Sequence, residues 1–200
     1  MAVADTAALD ERPAEQHKPG GISSSLLGMV LFIASEVMFF GGLFGAYFTI
    51  RSAATQWPPE GTPHLDTWYA AVLTAILVAS SVTMQFGVWA IRKNDQRKLI
   101  LWLAASLVLG VIFLAGQLYD YSILGFGIGD GVFGTVFYTL TGFHGAHVFG
   151  GAVGLTILLA RATQGQFSAR NHVAVEAVSV YWHFVDVVWI ALFTTLYILH

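Results

Sequence analysis

The sequence predicts an all-α polytopic membrane protein, a bundle of five transmembrane helices with its N-terminus in the cytoplasm and its C-terminus outside. Three observations carry that expectation. The 200 residues are 56% hydrophobic and only 10% charged, whereas a soluble domain carries about 25% charged residues. The apolar residues gather in five runs of about 20 or more, the length a helix needs to cross ~30 Å of hydrocarbon. Basic residues fall on one side of those runs: eight of the nine Lys and Arg lie in the N-terminal tail and the second-to-third and fourth-to-fifth connections, and only Arg51 lies opposite. The positive-inside rule turns that split into an orientation.

Residues 1–25 are polar and contain Pro13, Pro19, Gly20 and Gly21. They lack a basic start followed by an apolar core, so they read as a disordered tail and not as a cleavable signal peptide. Residues 26–200 form the membrane domain. The first span runs over Leu26–Ile50, the second over Trp68–Ile91, the third over Leu99–Tyr121, the fourth over Val132–Ala160 and the fifth over Val173–Leu199. Lipid leaves no water to satisfy the backbone, so each run must be helical. Barrel strands are excluded because they are about ten residues long and alternate in polarity. Trp57, Trp68 and Trp102 sit near span ends as interfacial anchors. The external connection WPPEGTPH (57–64) is stiffened by its prolines, and GFGIGDG (125–131) follows a membrane helix, not a strand, which argues against a phosphate loop. Gly41/Gly45 and Gly150/Gly154 are GxxxG pairs expected to let helices approach closely within the chain.

Function is sought among the ionisable groups inside the apolar runs, because each costs roughly 2.5–3.5 kcal/mol at the bilayer centre on insertion scales. Glu36 lies near the middle of the first span. It could donate a structural hydrogen bond as a carboxylic acid, pair with a histidine, or belong to a proton route. His144 and His147 are three apart on the fourth span and share a helix face. No third ligand lies one turn away, so they are expected to bond Glu36 or neighbouring helices, not a metal. His183 and Asp186 are three apart on the fifth span and are expected to pair locally. Gln85 and Gln117 are expected to hydrogen-bond between helices, and Asp120, near the external end of the third span, to reach water. With no cysteine, disulfides, thiolate zinc and iron–sulfur sites are excluded. A net charge of −3 without a basic cluster excludes nucleic acid as a partner. No nucleophile–base arrangement and no nucleotide-site glycine pattern is present, which disfavours an intramembrane hydrolase. Spacing alone leaves haem ligation by the histidines open.

SEVMFF (35–40), TGFHGAHVFGG (141–151) and YWHFVDVVWIALF (181–193), with GQLYDY (116–121), resemble the subunit III family of haem–copper respiratory oxidases. The resemblance covers residues 26–200. Longer family members have seven helices, and this chain resembles the short bacterial forms that lack the first two. Asp120 stands where the family motif leads one to expect Glu. The resemblance implies a non-catalytic accessory subunit of a proton-translocating terminal oxidase in the bacterial plasma membrane. Its partners would be subunits I and II, phospholipids and a cytochrome bc-type supercomplex, with haem and copper held by partner subunits and none in this chain. It implies that the subunit stabilises subunit I, binds lipid and supports proton uptake. Glu36 then corresponds to the family's intramembrane carboxylate, and His144, His147, His183 and Asp186 fall on its other motifs. SEVMFF and GFHGAHV look more like the cytochrome c branch than the quinol branch. From a different class, a small proton or cation transporter would use the same residues, but no inverted repeat is visible.

Overall fold

The computed structural model describes residues 24–59, 62 and 65–199. All but the last two residues of the polar N-terminal stretch, four positions of the Pro-rich connection and His200 lie outside the described residues. Five long helices are present: α1 (Ser24–Ala53), α2 (Thr67–Arg92), α3 (Gln96–Ile123), α4 (Gly131–Thr163) and α5 (Val173–Phe193), the last continuing into a π-helical turn, Thr194–Ile198. All five are long and apolar enough to cross a membrane, and no named strand occurs among the described residues. The chain is a multi-pass membrane protein. Helices α1 to α4 overrun the expected apolar spans by one to three residues at each end, whereas α5 with its π-helical turn ends one residue short of its expected span. Asp66 caps α2 by accepting from the Tyr69 N–H at 3.0 Å, and Asp95 caps α3 by accepting from the Lys98 N–H at 3.1 Å.

Helix α5 is central and packs on α1, α2 and α4, while α2 and α3 form a tight antiparallel hairpin. Its two indoles organise the core. The Trp182 ring lies where α3 and α4 each carry a glycine: a Cβ built on Gly110 or on Gly151 would stand 2.7 Å from indole carbons. Any larger residue would push the ring out, so these glycines are there to admit it. Trp182 then donates its N–H to Ser80 Oγ at 3.0 Å, and Trp189 donates to Thr74 Oγ1 at 2.9 Å. Each large ring is buried and still satisfied. The expected GxxxG contacts divide. Gly150 and Gly154 face Tyr181 and Val178 of α5, whereas Cβ atoms at Gly41 and Gly45 would meet nothing within 4 Å. The second pair packs within the chain as expected, and the first does not.

Helix α1 is peripheral. Only Phe40 and Tyr47 are buried along its 30 residues. The Tyr47 hydroxyl donates to the Thr195 carbonyl at 3.1 Å, which ties the end of α1 to the π-helical turn.

Candidate functional site

An acid–histidine pair inside the spans lies between α1 and α4. Glu36 stands one turn before the buried Phe40, so α1 presents both to the bundle on one face. Glu36 is about 18 Å along α1, and His147 is the middle residue of α4, so the two meet near mid-membrane. His147 Nε2 lies 2.9 Å from Glu36 Oε2, and both side chains are more than four-fifths buried. His147 Nδ1 lies 2.7 Å from the Phe143 carbonyl oxygen. A carbonyl only accepts, so Nδ1 carries a proton. Two states of zero net charge then keep the Glu36 contact a hydrogen bond: a carboxylic acid donating to neutral imidazole, or a carboxylate accepting from imidazolium. Both hold one proton between the two groups. A carboxylate facing neutral Nε2 would set two lone pairs against each other. The geometry makes Glu36–His147 a one-proton pair with zero net charge, the form least costly in low dielectric. Phe39 stacks on the imidazole at 6.1 Å and Phe40 meets it edge-on at 5.0 Å. Tyr181 of α5 donates to the His147 carbonyl at 3.0 Å.

The other candidate residues do not join this pair. His144 is a turn away but, rotated about 60° around α4, it enters the core. It stacks on Trp189 at 5.0 Å and meets Phe113 edge-on at 5.9 Å. Both its ring nitrogens are buried without a hydrogen-bond partner. The expectation of a satisfied histidine holds for His147 and not for His144, whose neighbours are aromatic faces. His183 bonds Gln85 Oε1 across the α2–α5 seam at 3.3 Å in place of the expected Asp186. Asp186 points instead toward Ser81 of α2, although neither Asp186 Oδ1 nor Ser81 Oγ reaches a partner at hydrogen-bond distance. Asp120 is buried and not in water: it lies under the π-helical turn, where Tyr197 donates to its Oδ2 at 3.4 Å. The turn places Tyr197 there, a contact no linear spacing announces. Gln117, on the same face of α3, leaves both amide atoms without a hydrogen bond. Among the described residues, no three His, Asp or Glu side chains converge as a metal site.

Charge outside the spans collects where α2 meets α3 and α5. Arg92 donates to Glu176 at 2.7 Å, and Lys98 pairs with Asp95 at 3.0 Å. The Lys98 backbone N–H, followed by its side chain, holds the Asp95 carboxyl below the usual carboxylate range. Sequence reasoning missed Ser80, Thr74, Tyr181 and Tyr197. The signal for the first two was available: hydroxyls mid-helix opposite a Trp-rich helix.

Fold and site together define a class: a multi-pass helical membrane protein in which several polar side chains within the spans join its helices in pairs. The family model described as cytochrome c oxidase subunit III matches residues 14–200. A protein of Synechocystis named cytochrome c oxidase subunit 3 is 45% identical over 189 residues, 94% of this chain and 81% of the relative. Proteins of the same name from Thermostichus vulcanus and Corynebacterium diphtheriae are each 43% identical, over 175 and 196 residues. They cover 87% and 95% of this chain and 87% and 94% of the relatives. The chain belongs to the cytochrome c oxidase subunit III family.

Proposed function

We propose that this chain is the accessory third subunit of a proton-translocating, cytochrome c-oxidising terminal oxidase in a bacterial plasma membrane. It packs beside subunits I and II, which hold the haem and copper that reduce oxygen to water. Its own part is to keep the complex active through repeated turnover, by packing, by holding lipid, and by keeping one proton at Glu36–His147. The observation that carries this reading is that pair. It is a membrane-embedded acid–base couple on the least buried helix of the bundle, away from any converging ligand set among the described residues. Such a couple holds one proton at mid-membrane with no net charge buried, and gaining or losing a proton there costs a buried unit charge. It cannot by itself move electrons. Family membership supports assembly with other oxidase subunits, and the bacterial relatives support the plasma membrane. The cytochrome c branch rests on the relatives' printed names and on SEVMFF and GFHGAHV.

The test is purification of the affinity-tagged full chain from gently solubilised membranes. Haem-bearing chains in fixed proportion, with a visible haem spectrum and oxygen uptake from reduced cytochrome c, are expected. Isolation of the tagged chain alone, from membranes rich in active oxidase, would contradict the assignment.

A further inference from the structure

The Lys-rich turn between α2 and α3 opens into a cavity of about 230 Å³. Lys93 and Lys98 stand at its mouth, and Trp89 and Trp102 form its walls. Phe86 holds the two indoles apart, 5.5 Å from Trp89 and 5.0 Å from Trp102. A second cavity, of about 350 Å³, shares Phe86 and Trp89 with the first and continues along α2 past Val82 to Val78. Of the polar residues beside it, Gln85 and His183 are hydrogen-bonded to each other at 3.3 Å, which leaves the trough wall apolar except for the buried Ser81 hydroxyl.

From this arrangement we propose a site for one anionic phospholipid of the leaflet on the Lys/Arg-rich side, with its phosphate between Lys93 and Lys98 and an acyl chain in the α2 trough. This deepens the lipid-holding part of the proposed function. Length supports it. From Lys93, the α2 C-cap, to Val78 is about 22 Å of helix. That distance reaches from the headgroup level to the middle of a ~30 Å hydrocarbon core, one leaflet deep. Charge supports it as well. Asp95 spends both carboxylate oxygens on Lys98, one on its N–H and one on its ammonium, while no carboxylate pairs with Lys93 among the described residues. The mouth therefore carries net positive charge beside two interfacial indoles, a combination that recognises an anionic headgroup. Asp95 weakens the site without cancelling it, and it places the stronger contact on Lys93.

The test uses the full chain in phosphatidylcholine nanodiscs, with tryptophan emission quenched by brominated phosphatidylglycerol or brominated phosphatidylcholine. The difference between the wild type and a Trp89→Phe/Trp102→Phe variant isolates quenching at the site. A preference of about fivefold for the anionic lipid is expected, the effect of one lysine near the surface. Lys93→Gln should abolish the preference, Lys93→Arg should keep it, and Arg170→Gln, which removes the same charge from the same end of the bundle but outside the cavity lining, should leave it unchanged. Equal quenching by the two lipids in the wild type overturns the proposal whether or not any variant folds. So does a preference that Arg170→Gln lowers as much as Lys93→Gln, since that reports a diffuse field. Displacement of phosphatidylglycerol by millimolar inorganic phosphate overturns the lipid assignment in favour of a free-anion site. The nanodisc assay needs no oxidase partner and has lipid on both faces. A failed co-purification or a reversed orientation would thus leave its result standing, and a failed lipid preference would leave the oxidase assignment standing.

Discussion

Replacing Glu36 distinguishes a hydrogen bond that holds α1 from a proton that the complex uses. In Glu36→Gln the amide N–H can donate to neutral His147 Nε2, because Nδ1 keeps its proton on the Phe143 carbonyl. Helix packing should then survive while the exchangeable proton of the pair is lost. In Glu36→Ala, His147 Nε2 is left buried and unpaired, which costs about 1–3 kcal/mol in general. Interhelical hydrogen bonds inside membranes average about 0.6 kcal/mol and reach about 1.7, so about 1–2 kcal/mol is expected here. The loss should fall on α1, whose only buried side chains are Phe40 and Tyr47. It corresponds to a roughly five- to thirtyfold rise in local opening. Hydrogen exchange of α1 amides in the purified chain reads that opening directly, with α2 and α3 as internal references. A cycle adding His147→Ala should return a coupling of about 0.6–1.7 kcal/mol. If Gln opened α1 as much as Ala did, or if Ala left α1 exchange unchanged, the one-proton pair would be the wrong description of this contact.

Gly151→Ala should destabilise the chain by about 1–3 kcal/mol in a denaturant titration, because its methyl would stand 2.7 Å from the Trp182 ring. Trp182→Phe in the same chain should recover part of that loss, at the cost of the Ser80 bond. The Asp95 carboxyl, lowered by the Lys98 N–H, contributes stability that is present above its unfolded pKa of about 3.9 and is lost as pH falls through the lower folded value. Asp95→Asn should keep the cap and flatten that acid limb of a stability–pH profile. Cysteines at Lys93 and at Gly129, on opposite ends of the bundle, should react differently with an impermeant thiol reagent in intact cells: only the Gly129 position should label.

The spans were legible because lipid demands long apolar helices, and Glu36 near the middle of α1 was legible as an expensive charge. What stayed hidden was helix rotation. A helix that faces lipid on one side and apolar core on the other is hydrophobic all round, so its pattern does not say which face turns inward. His144 and His147 show the consequence: one turn apart, the first meets Trp189 and the second meets Glu36. His183 meets Gln85 in place of Asp186, because its ring turns across the α2–α5 seam, a direction that spacing along α5 does not give. Asp120 was placed in water by its position near a helix end, and the π-helical turn that covers it has no signature in local composition. Gly110 and Gly151 were readable as glycines in apolar runs, but their purpose required knowing where the Trp182 ring goes.

The measurement that bears most directly on an accessory, turnover-supporting role is oxygen uptake over time by the haem-replete complex with and without this chain. Initial uptake near that of the intact complex, followed by progressive loss of activity over successive turnovers, is the expected result for the depleted complex, with Glu36→Gln showing a milder form of the same decay. Immediate loss of oxygen reduction in an assembled, haem-replete complex lacking only this chain or only the Glu36 carboxyl would contradict the account.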